Sequence, residues 1–381
     1  MKIAFLTPEY PHPRTGNSGG IGTSIKNLAT GLLAQGCSVR VLVYGQKAEE
    51  VFDDNGVCIQ QIQNVKLKGI SWYLTRKKLQ KIIDGLYENK EIDLVEAPDW
   101  TGITSFINPE KCPVVIRLNG SDTYFCNLDG RHVKINNKFH EKRAIQKADG
   151  LLAVSQFTAD KTNEVFGIAE HFTIIPNSID VATFKKEEAI KELPNTVLYF
   201  GSLIRKKGLL ELPFIFNELI KENPIAKLIL VGKDVPDIIS GSGSTWGMMQ
   251  KLFTKDALLN VDYLGSVPYS EIQKHINRAT VCVFPSFAEA LPVSWIEAMA
   301  MQKSIVASNI GWASDVIDNG LNGFLVSPKE HAVYAEKINI LLKNVQLQQE
   351  IGLAAREKAI RKFSIDIVAK ESVLFYQSLI E

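Results

Sequence analysis

The chain lacks several features that would assign it to a specialised class of protein. Its 381 residues contain no run of about 18 apolar residues, and the apolar N-terminus predicts a buried first strand rather than a signal peptide. The five cysteines form no C-x-x-C pair, which argues against a disulfide framework or a zinc site and suits a reducing compartment. A formal net charge of +1 argues against a nucleic-acid partner. We therefore expect a cytoplasmic globular protein without a bound metal.

The sequence does contain two successive series of short apolar segments that alternate with amphipathic ones. Six such segments lie between residues 2–6 and 173–175, and six more lie between 197–200 and 323–326. Short apolar runs separated by helical patterns are typical of buried parallel strands in α/β proteins. The pattern predicts two Rossmann-like, doubly wound domains that face each other across a cleft. We expect a first domain over 1–185, a second over 186–364, and a helix over 365–381 that crosses back to the first.

Two carboxylates flank a predicted helix start in the segment 284–301. Pro292 suits the first position of a helix, which places Glu289 in the strand-to-helix loop and Glu297 inside the helix. The N–H groups of 291–294 would then form an anion site. A sugar nucleotide needs this combination of N–H donors for its diphosphate and carboxylates for its hydroxyls. On spacing alone, an ordinary loop carboxylate and a solvated helix residue are the open alternatives.

These residues belong to a pattern that extends along the chain. A glutamate, seven residues and a second glutamate, followed by Ala-Met-Ala, resembles the signature of the family 4 retaining glycosyltransferases. Other segments resemble further motifs of that family in the expected order. They are Gly201-Ser-Leu-Ile-Arg-Lys-Lys207-Gly, Ile175-Pro-Asn-Ser-Ile-Asp180, the stretch 311–326, and Gly19-Gly20-Ile-Gly22, which is similar to the glycine loop of bacterial glycogen synthases.

The resemblance implies an enzyme of the GT-B architecture. Such an enzyme moves a sugar, with retention of configuration, from a nucleotide-diphosphate donor to a hydroxyl of a surface glycan or a lipid-linked acceptor. UDP is the nucleotide that the family favours, and neither a cofactor nor a metal is implied. The domain over 1–185 would be the acceptor side, and the domain over 186–364 would bind the nucleotide sugar. A sugar-nucleotide 2-epimerase of the same architecture and a non-catalytic sugar-binding protein are the alternatives.

The resemblance assigns positive charge for the leaving diphosphate to Arg205 and Lys207. Ser202 stands where the family has an arginine, so Arg205 would have to compensate for it at the donor site. From the residues alone, a solvated basic turn is the alternative for these cations. Other changes from the family pattern, among them Gln302-Lys303-Ser304, are expected to be peripheral.

The resemblance also assigns the residues around the predicted helix start. The backbone amides of Leu291 and Val293, on either side of Pro292, would bind the diphosphate. Glu289 would hold hydroxyls of the donor sugar, and Glu297 would hold the ribose.

In the first half of the chain the resemblance singles out two glycines and two polar residues. Gly19 and Gly20 would let the backbone approach the donor closely, although a plain flexible turn is an alternative. Asp99 resembles the aspartate of an Asp-Trp pair in glycogen synthases and is an acceptor-side candidate, with a helix N-cap as the alternative. Asn119 replaces a family histidine and is expected to face the donor sugar.

One stretch outside these motifs is strongly basic. Six Lys or Arg residues and no acidic residue lie between Lys66 and Lys81. The apolar residues 79, 82, 83 and 86 share one face of the predicted helix, and lysines lie roughly opposite. A basic amphipathic helix is typical of peripheral contact with an anionic membrane, here the inner face. The alternative is a solvated helix whose apolar side packs on the sheet.

Overall fold

A computed structural model describes residues 1–16 and 18–380 and divides the chain into two compact units. Met1–Ser178 and the chain from Phe363 onward form the first unit, and Ile179–Lys362 forms the second. The boundary between Ser178 and Ile179 thus falls before the predicted boundary at 185/186. Arg356 explains the difference, because its guanidinium donates hydrogen bonds to the carbonyls of Val181 and Phe184 and ties this segment to the second unit.

The first unit is built on an eight-stranded sheet with the strand order β3-β4-β2-β1-β5-β6-β7-β8. Every neighbouring pair is parallel except β3 with β4. The strands are β1 (Lys2–Thr7), β2 (Ser38–Tyr44), β3 (Val51–Asp54), β4 (Val57–Ile62), β5 (Leu94–Pro98), β6 (Val114–Leu118), β7 (Gly150–Ala153) and β8 (Thr173–Ile174). The helices are α1 (Gly20–Ala34), α2 (Ser71–Glu88), α3 (Asp122–Leu128), α4 (Ile135–Lys147) and α5 (Gln156–Phe166), with a 3₁₀ segment at Trp100–Phe106.

Helices cover both faces of this sheet, as the apolar strands predict. Ile3 and Phe5 of β1 pack in one buried cluster with α1 residues such as Leu28. Ala4 and Leu6, which point to the opposite face, pack in a second cluster with α2. The first unit is therefore doubly wound.

The antiparallel hairpin of β3 and β4 is absent from the sequence prediction. Asn55 and Gly56 connect its strands with φ angles of 54° and 89°. Both values are positive, as a two-residue hairpin turn of type I′ requires, and Asn-Gly is the preferred pair for that turn. The dipeptide was therefore a usable signal.

The second unit is built on a six-stranded, fully parallel sheet with the order β11-β10-β9-β12-β13-β14. Its strands are β9 (Thr196–Phe200), β10 (Lys227–Val231), β11 (Val261–Tyr263), β12 (Val281–Phe284), β13 (Ser304–Ser308) and β14 (Phe324–Val326). Its helices are α6 (Leu212–Glu222), α7 (Thr245–Gln250), α8 (Lys255–Leu258), α9 (Tyr269–Arg278), α10 (Val293–Ala300), α11 (Ala313–Val316), α12 (His331–Lys343) and α13 (Val345–Lys358). The two units confirm the predicted α/β fold with two Rossmann-like domains.

The last helix, α14 (Ile365–Ile380), packs on the first unit. Gly31 of α1 permits this contact, because a Cβ there would lie 2.7 Å from the carbonyl oxygen of Ile365. Tyr376 is fully buried and its hydroxyl donates to Glu96 at 2.5 Å. Glu96 also forms a buried ion pair with Arg117 at 2.7 Å, so α14 satisfies a charged pair within the core of this unit.

Candidate active site

Two segments of the second unit, the turn after β9 and the loop after β12, are bonded to each other. Arg205–Lys207 forms a short 3₁₀ turn that ends at Gly208, whose φ is 71°. A Cβ at Gly208 would lie 1.8 Å from the carbonyl oxygen of Pro285, so only glycine fits. The N–H groups of Phe287 and Ala288 donate to the carbonyl of Lys206 at 2.8 and 3.2 Å. The turn therefore holds the loop that carries Glu289.

Lys207 and Glu289 are brought together by this arrangement. The Lys207 Nζ lies 3.2 Å from the Glu289 Oε1, and the two side chains are 22% and 11% exposed. The hydroxyl of Ser286 lies 3.4 Å from the same carboxylate oxygen, within hydrogen-bonding distance. Glu289 is thus a nearly buried loop carboxylate with a cation beside it.

Glu297 is also buried, which excludes the alternative of a solvated helix residue. It lies in α10 with 4% of its surface exposed, and the Tyr269 hydroxyl donates a hydrogen bond to its Oε1 at 2.5 Å. Burial raises the pKa of Glu297 to about 7, although the Tyr269 hydrogen bond and the charge of Lys207 act in the opposite direction. Tyr269 precedes Glu297 by 28 residues, and no motif in the sequence indicated the contact.

Arg205 does not take part in the Lys207–Glu289 ion pair. Its guanidinium donates to both carboxylate oxygens of Asp237, at 2.9 and 2.7 Å. Asp237 is 3% exposed, and the Arg205 guanidinium holds the pKa of that carboxyl well below its usual range. Arg205 and Lys207 of the turn therefore pair with different carboxylates. Asp237 was not predicted, although it follows β10, and functional residues often follow the strands of a parallel sheet.

The remaining donor-binding candidates border these groups. Ser202 is exposed, and its carbonyl oxygen accepts a hydrogen bond from the Tyr199 hydroxyl at 2.9 Å. Pro292 occupies the cap position and Val293 is the first residue of α10, so the predicted helix start is displaced by one residue. The Val293 N–H, in the first turn, has no acceptor within the helix. Leu291 is buried, with 4% of its surface exposed.

In the first unit, Asp99 and Asn119 lie together where β5 and β6 end. The Asp99 Oδ1 accepts the Asn119 backbone N–H at 2.9 Å. Asp99 precedes the 3₁₀ segment at Trp100–Phe106, but its side chain makes no capping hydrogen bond there. The cap interpretation therefore describes its position and not its bonding.

The Asp99 carboxyl has an unusual environment. It is 1% exposed, and its Oδ2 has no hydrogen-bond partner among the residues that the structure describes. Burial raises its pKa to about 7, and the neighbouring Glu141 carboxylate raises it further, against the backbone N–H groups of Asn119 and Gly120. The sequence analysis missed Glu141, which is fully buried and accepts hydrogen bonds from the N–H groups of Asp122 and Thr123.

The glycines near the start of the chain form a helix terminus rather than the flexible turn considered above. Gly19 is the cap residue of α1, and Gly20 is its first residue. The Glu9 carboxylate accepts the N–H of Gly22 at 3.0 Å, and a Cβ at Gly19 would lie 3.3 Å from the same oxygen. A carboxylate of the chain itself thus occupies this N-terminus, which the sequence analysis did not foresee.

In the basic stretch 66–81, the apolar side of the helix packs as the second alternative has it. Leu79, Ile83 and Leu86 are buried in the core of the first unit, so the apolar face of α2 packs on the sheet. Arg76 is buried as well, and Lys78 pairs with Glu49. Among residues 1–16 and 18–380 there is no helix long and apolar enough to span a membrane, and no group of three His, Cys, Asp or Glu side chains that could hold a metal ion.

Comparison with protein families gives two matches, which overlap only at residues 180–183. The model described as Glycosyl transferases group 1 matches residues 180–358. The model described as Glycosyltransferase Family 4 matches residues 18–183. The two matches together extend over most of the chain and divide it close to the division between the structural units.

Similar proteins are found along the whole chain. The glycosyltransferase MJ1607 of Methanocaldococcus jannaschii is 24% identical over 100% of this chain and 99% of its own. The capsular polysaccharide biosynthesis glycosyltransferase CapM of Staphylococcus aureus is 27% identical over 52% of this chain and 50% of its own.

Solved structures share the fold. Sucrose-phosphate synthase from Thermosynechococcus elongatus superposes with a TM-score of 0.80 at 18% identity, covering 99% of this chain and 98% of that one. Anabaena HepE in complex with UDP and glucose superposes with a TM-score of 0.77 at 22% identity, covering 99% and 100%. With the family matches and two Rossmann-like units, the chain belongs to the family 4 glycosyltransferases and has their GT-B fold.

Proposed function

We propose that the protein transfers a sugar, with retention of configuration and without a metal ion, from a UDP-sugar to a hydroxyl of a surface glycan or a lipid-linked acceptor in the cytoplasm. The observation that carries this proposal is the Lys207–Glu289 ion pair, with the buried Glu297 in the helix that follows. Two carboxylates in one loop–helix segment, and one cation in the turn bonded to that loop, match the needs of two sets of sugar hydroxyls and a diphosphate.

The choice of donor is supported by a solved relative. HepE of Anabaena was crystallised with UDP and glucose and with UDP-glucose. In this protein Glu297 would accept hydrogen bonds from the ribose hydroxyls, and Glu289 would accept hydrogen bonds from hydroxyls of the transferred sugar. Both roles need acceptor oxygens, which an ionised carboxylate supplies.

The leaving diphosphate gains negative charge as the glycosidic bond breaks, and Lys207 is positioned to stabilise it. A charge-assisted hydrogen bond contributes about 1.5–3 kcal/mol. The Val293 N–H and the N-terminus of α10 add fixed partial positive charge that needs no reorganisation during the reaction. Arg205 serves the diphosphate with the guanidinium N–H groups that Asp237 leaves unused. Ser202, Gly19, Gly20 and the Leu291 and Pro292 backbone complete the proposed donor contacts.

The chemistry requires no nucleophile from the protein. The bond from the sugar C1 to the diphosphate oxygen breaks, and the acceptor hydroxyl oxygen forms its bond to C1 on the same face. The acceptor proton passes to the departing phosphate oxygen. Asp99 is proposed to orient the acceptor and Asn119 to recognise the donor sugar. An acceptor that is a growing glycan is supported by the role in capsule biosynthesis that is assigned to CapM.

Donor choice and transfer can be tested separately. We expect UDP and a UDP-sugar to raise the melting temperature more than the GDP, ADP and dTDP series, because ligand binding stabilises the folded state by mass action. NMR of the product should show the anomeric configuration of the donor, and EDTA should leave the rate unchanged. An inverted product, or an isomerised UDP-sugar formed without acceptor, would contradict retaining transfer.

The Lys207 role has a matched control in the same turn. Lys207→Ala should lower kcat by about 10- to 100-fold, which corresponds to the loss of one charge-assisted hydrogen bond. Lys206→Ala removes an equal charge one residue away while keeping the carbonyl that binds Phe287 and Ala288. Equal losses in both variants would indicate a nonspecific effect of charge and would remove Lys207 from the mechanism.

A further inference from the structure

The twelve basic residues in two segments of the first unit are out of proportion to the rest of the chain. Residues 65–81 contain six Lys or Arg and no acidic residue, and residues 130–147 contain six Lys or Arg and one acidic residue. That acidic residue, Glu141, is fully buried. The two segments thus hold 12 of the 43 basic residues and one of the 42 acidic ones, which leaves the remainder of the chain with an acidic excess.

The two segments meet through an aromatic cluster. The Trp72 ring lies 5.5 Å from Phe106 and 5.2 Å from His140, measured between ring centroids. Phe139 lies 5.3 Å from His140 and 6.4 Å from Phe106. The start of α2 and the first half of α4 therefore form one continuous surface around these rings. Arg76 lies over the Trp72 ring at 5.4 Å.

The side chains on this surface are exposed and of two kinds. Four exposed lysines have an ammonium group with no hydrogen-bond or ion-pair partner among the described residues, namely Lys66, Lys68, Lys134 and Lys138. Large apolar side chains lie among them. They are Leu67, Ile70, Trp72, Tyr73, Ile135 and Phe139, with exposed fractions between 38% for Tyr73 and 80% for Ile135. We call these ten residues the basic aromatic surface.

We propose that the basic aromatic surface docks the protein on an anionic lipid membrane. Lysines near such a membrane are attracted by its negative surface potential, and Trp and Tyr favour the boundary between headgroups and acyl chains. Exposed aliphatic side chains such as Ile135 favour a lipid over a soluble anionic glycan, because they can enter the acyl boundary but have no partner on a sugar. The apolar face of α2 is buried and takes no part, so the contact differs from that of an amphipathic helix lying in the membrane.

The charge contribution can be removed without touching the proposed donor site. Each lysine near an anionic surface contributes about fivefold to membrane affinity. We therefore expect the quadruple variant Lys66→Ala, Lys68→Ala, Lys134→Ala and Lys138→Ala to lower partitioning onto vesicles containing phosphatidylglycerol by at least about 100-fold. A matched control replaces four exposed lysines elsewhere by alanine, at positions 251, 255, 274 and 370.

Vesicle sedimentation of the full chain provides the measurement, and a thermal shift with UDP shows that each variant is folded and binds nucleotide. The proposal predicts binding to phosphatidylglycerol vesicles, loss of binding in about 1 M NaCl, where the Debye length is about 3 Å, and retention of binding in the control variant. Three outcomes overturn it: no binding to the vesicles, equal loss in both variants, or binding to dextran sulfate without binding to vesicles. Because the vesicle and nucleotide measurements are separate, failure here leaves the proposed function standing.

Discussion

Removal of one hydroxyl group, that of Tyr269, tests whether Glu297 binds the donor as a carboxylate. The groups that face Glu297 are Tyr269 of α9 and Lys207 of the turn after β9. The hydrogen bond from Tyr269 favours the ionised form, so Tyr269→Phe should raise the pKa of Glu297 above its present value of about 7. An ionised carboxylate accepts stronger hydrogen bonds from ribose hydroxyls than a protonated one does, and donor binding should therefore weaken at neutral pH.

The size of the effect follows from the single bond that is lost. A hydrogen bond to a charged group is worth about 1.5–3 kcal/mol, and one pKa unit corresponds to about 1.4 kcal/mol, so the pKa should rise by about one to two units. At pH 7 the ionised fraction would fall from about one half to between about 1% and 10%, lowering kcat/KM for the donor by about 5- to 50-fold. The loss should disappear at about pH 9.5, where Glu297 is ionised in both the wild-type protein and the Tyr269→Phe variant.

The assay is kcat/KM for the donor measured across this pH range. Tyr263→Phe is the matched control, because the Tyr263 hydroxyl donates to the carbonyl of Gly232 at 3.0 Å and not to a carboxylate. A Tyr269→Phe profile that superimposes on the wild-type profile would refute the reasoning, whereas a loss that is equal at all pH values would indicate a packing role for the ring.

Three further outcomes follow from the same contacts. The folded-state pKa of Glu297, about 7, lies above the unfolded value of about 4.3, so burial of this carboxyl group costs stability as the pH rises through this window. Glu297→Gln should therefore stabilise the protein by up to about 3 kcal/mol at pH 8 but not at pH 4, as measured by urea unfolding. Arg205→Ala should destabilise by about 1–3 kcal/mol because it leaves the buried Asp237 carboxylate unpaired, and adding Asp237→Ala should recover part of the loss; a double variant as unstable as the single one would contradict this. Gly208→Ala should cost more than about 2 kcal/mol, whereas Gly85→Ala, in an open position of α2, should be neutral or stabilising, and equal melting temperatures for the two variants would contradict the clash.

The apolar strands and the motif around Glu289 could be predicted because their signals are local. A run such as that of β12 is buried on both faces, and its amino-acid composition alone indicates a parallel strand. Lys207 and Glu289 were expected at one site because both lie in motifs that resemble those of the glycosyltransferase family. Each motif follows a strand, and side chains meet at the carboxyl ends of neighbouring parallel strands.

Contacts that depend on tertiary packing could not be predicted in this way. The burial of Lys303 was not predicted: it is 2% exposed, and its ammonium donates to the carbonyls of Asn277 and Ala279 and to the Glu192 carboxylate. A buried lysine is stable only when such acceptors surround it, and these come from two distant segments. The Tyr269–Glu297 contact and the Glu9 carboxylate at α1 have the same character, because no spacing rule relates the partners.

The position of α14 has a consequence for the order in which the protein folds during translation. The second unit is one uninterrupted segment, and all of its strands are synthesised before α14. The first unit, in contrast, lacks Tyr376 until the end of synthesis, and its Glu96–Arg117 pair stays incompletely covered until then. The unit that is translated first is thus completed last, and a released chain that ends at residue 362 would contain every segment of the second unit but lack α14 of the first.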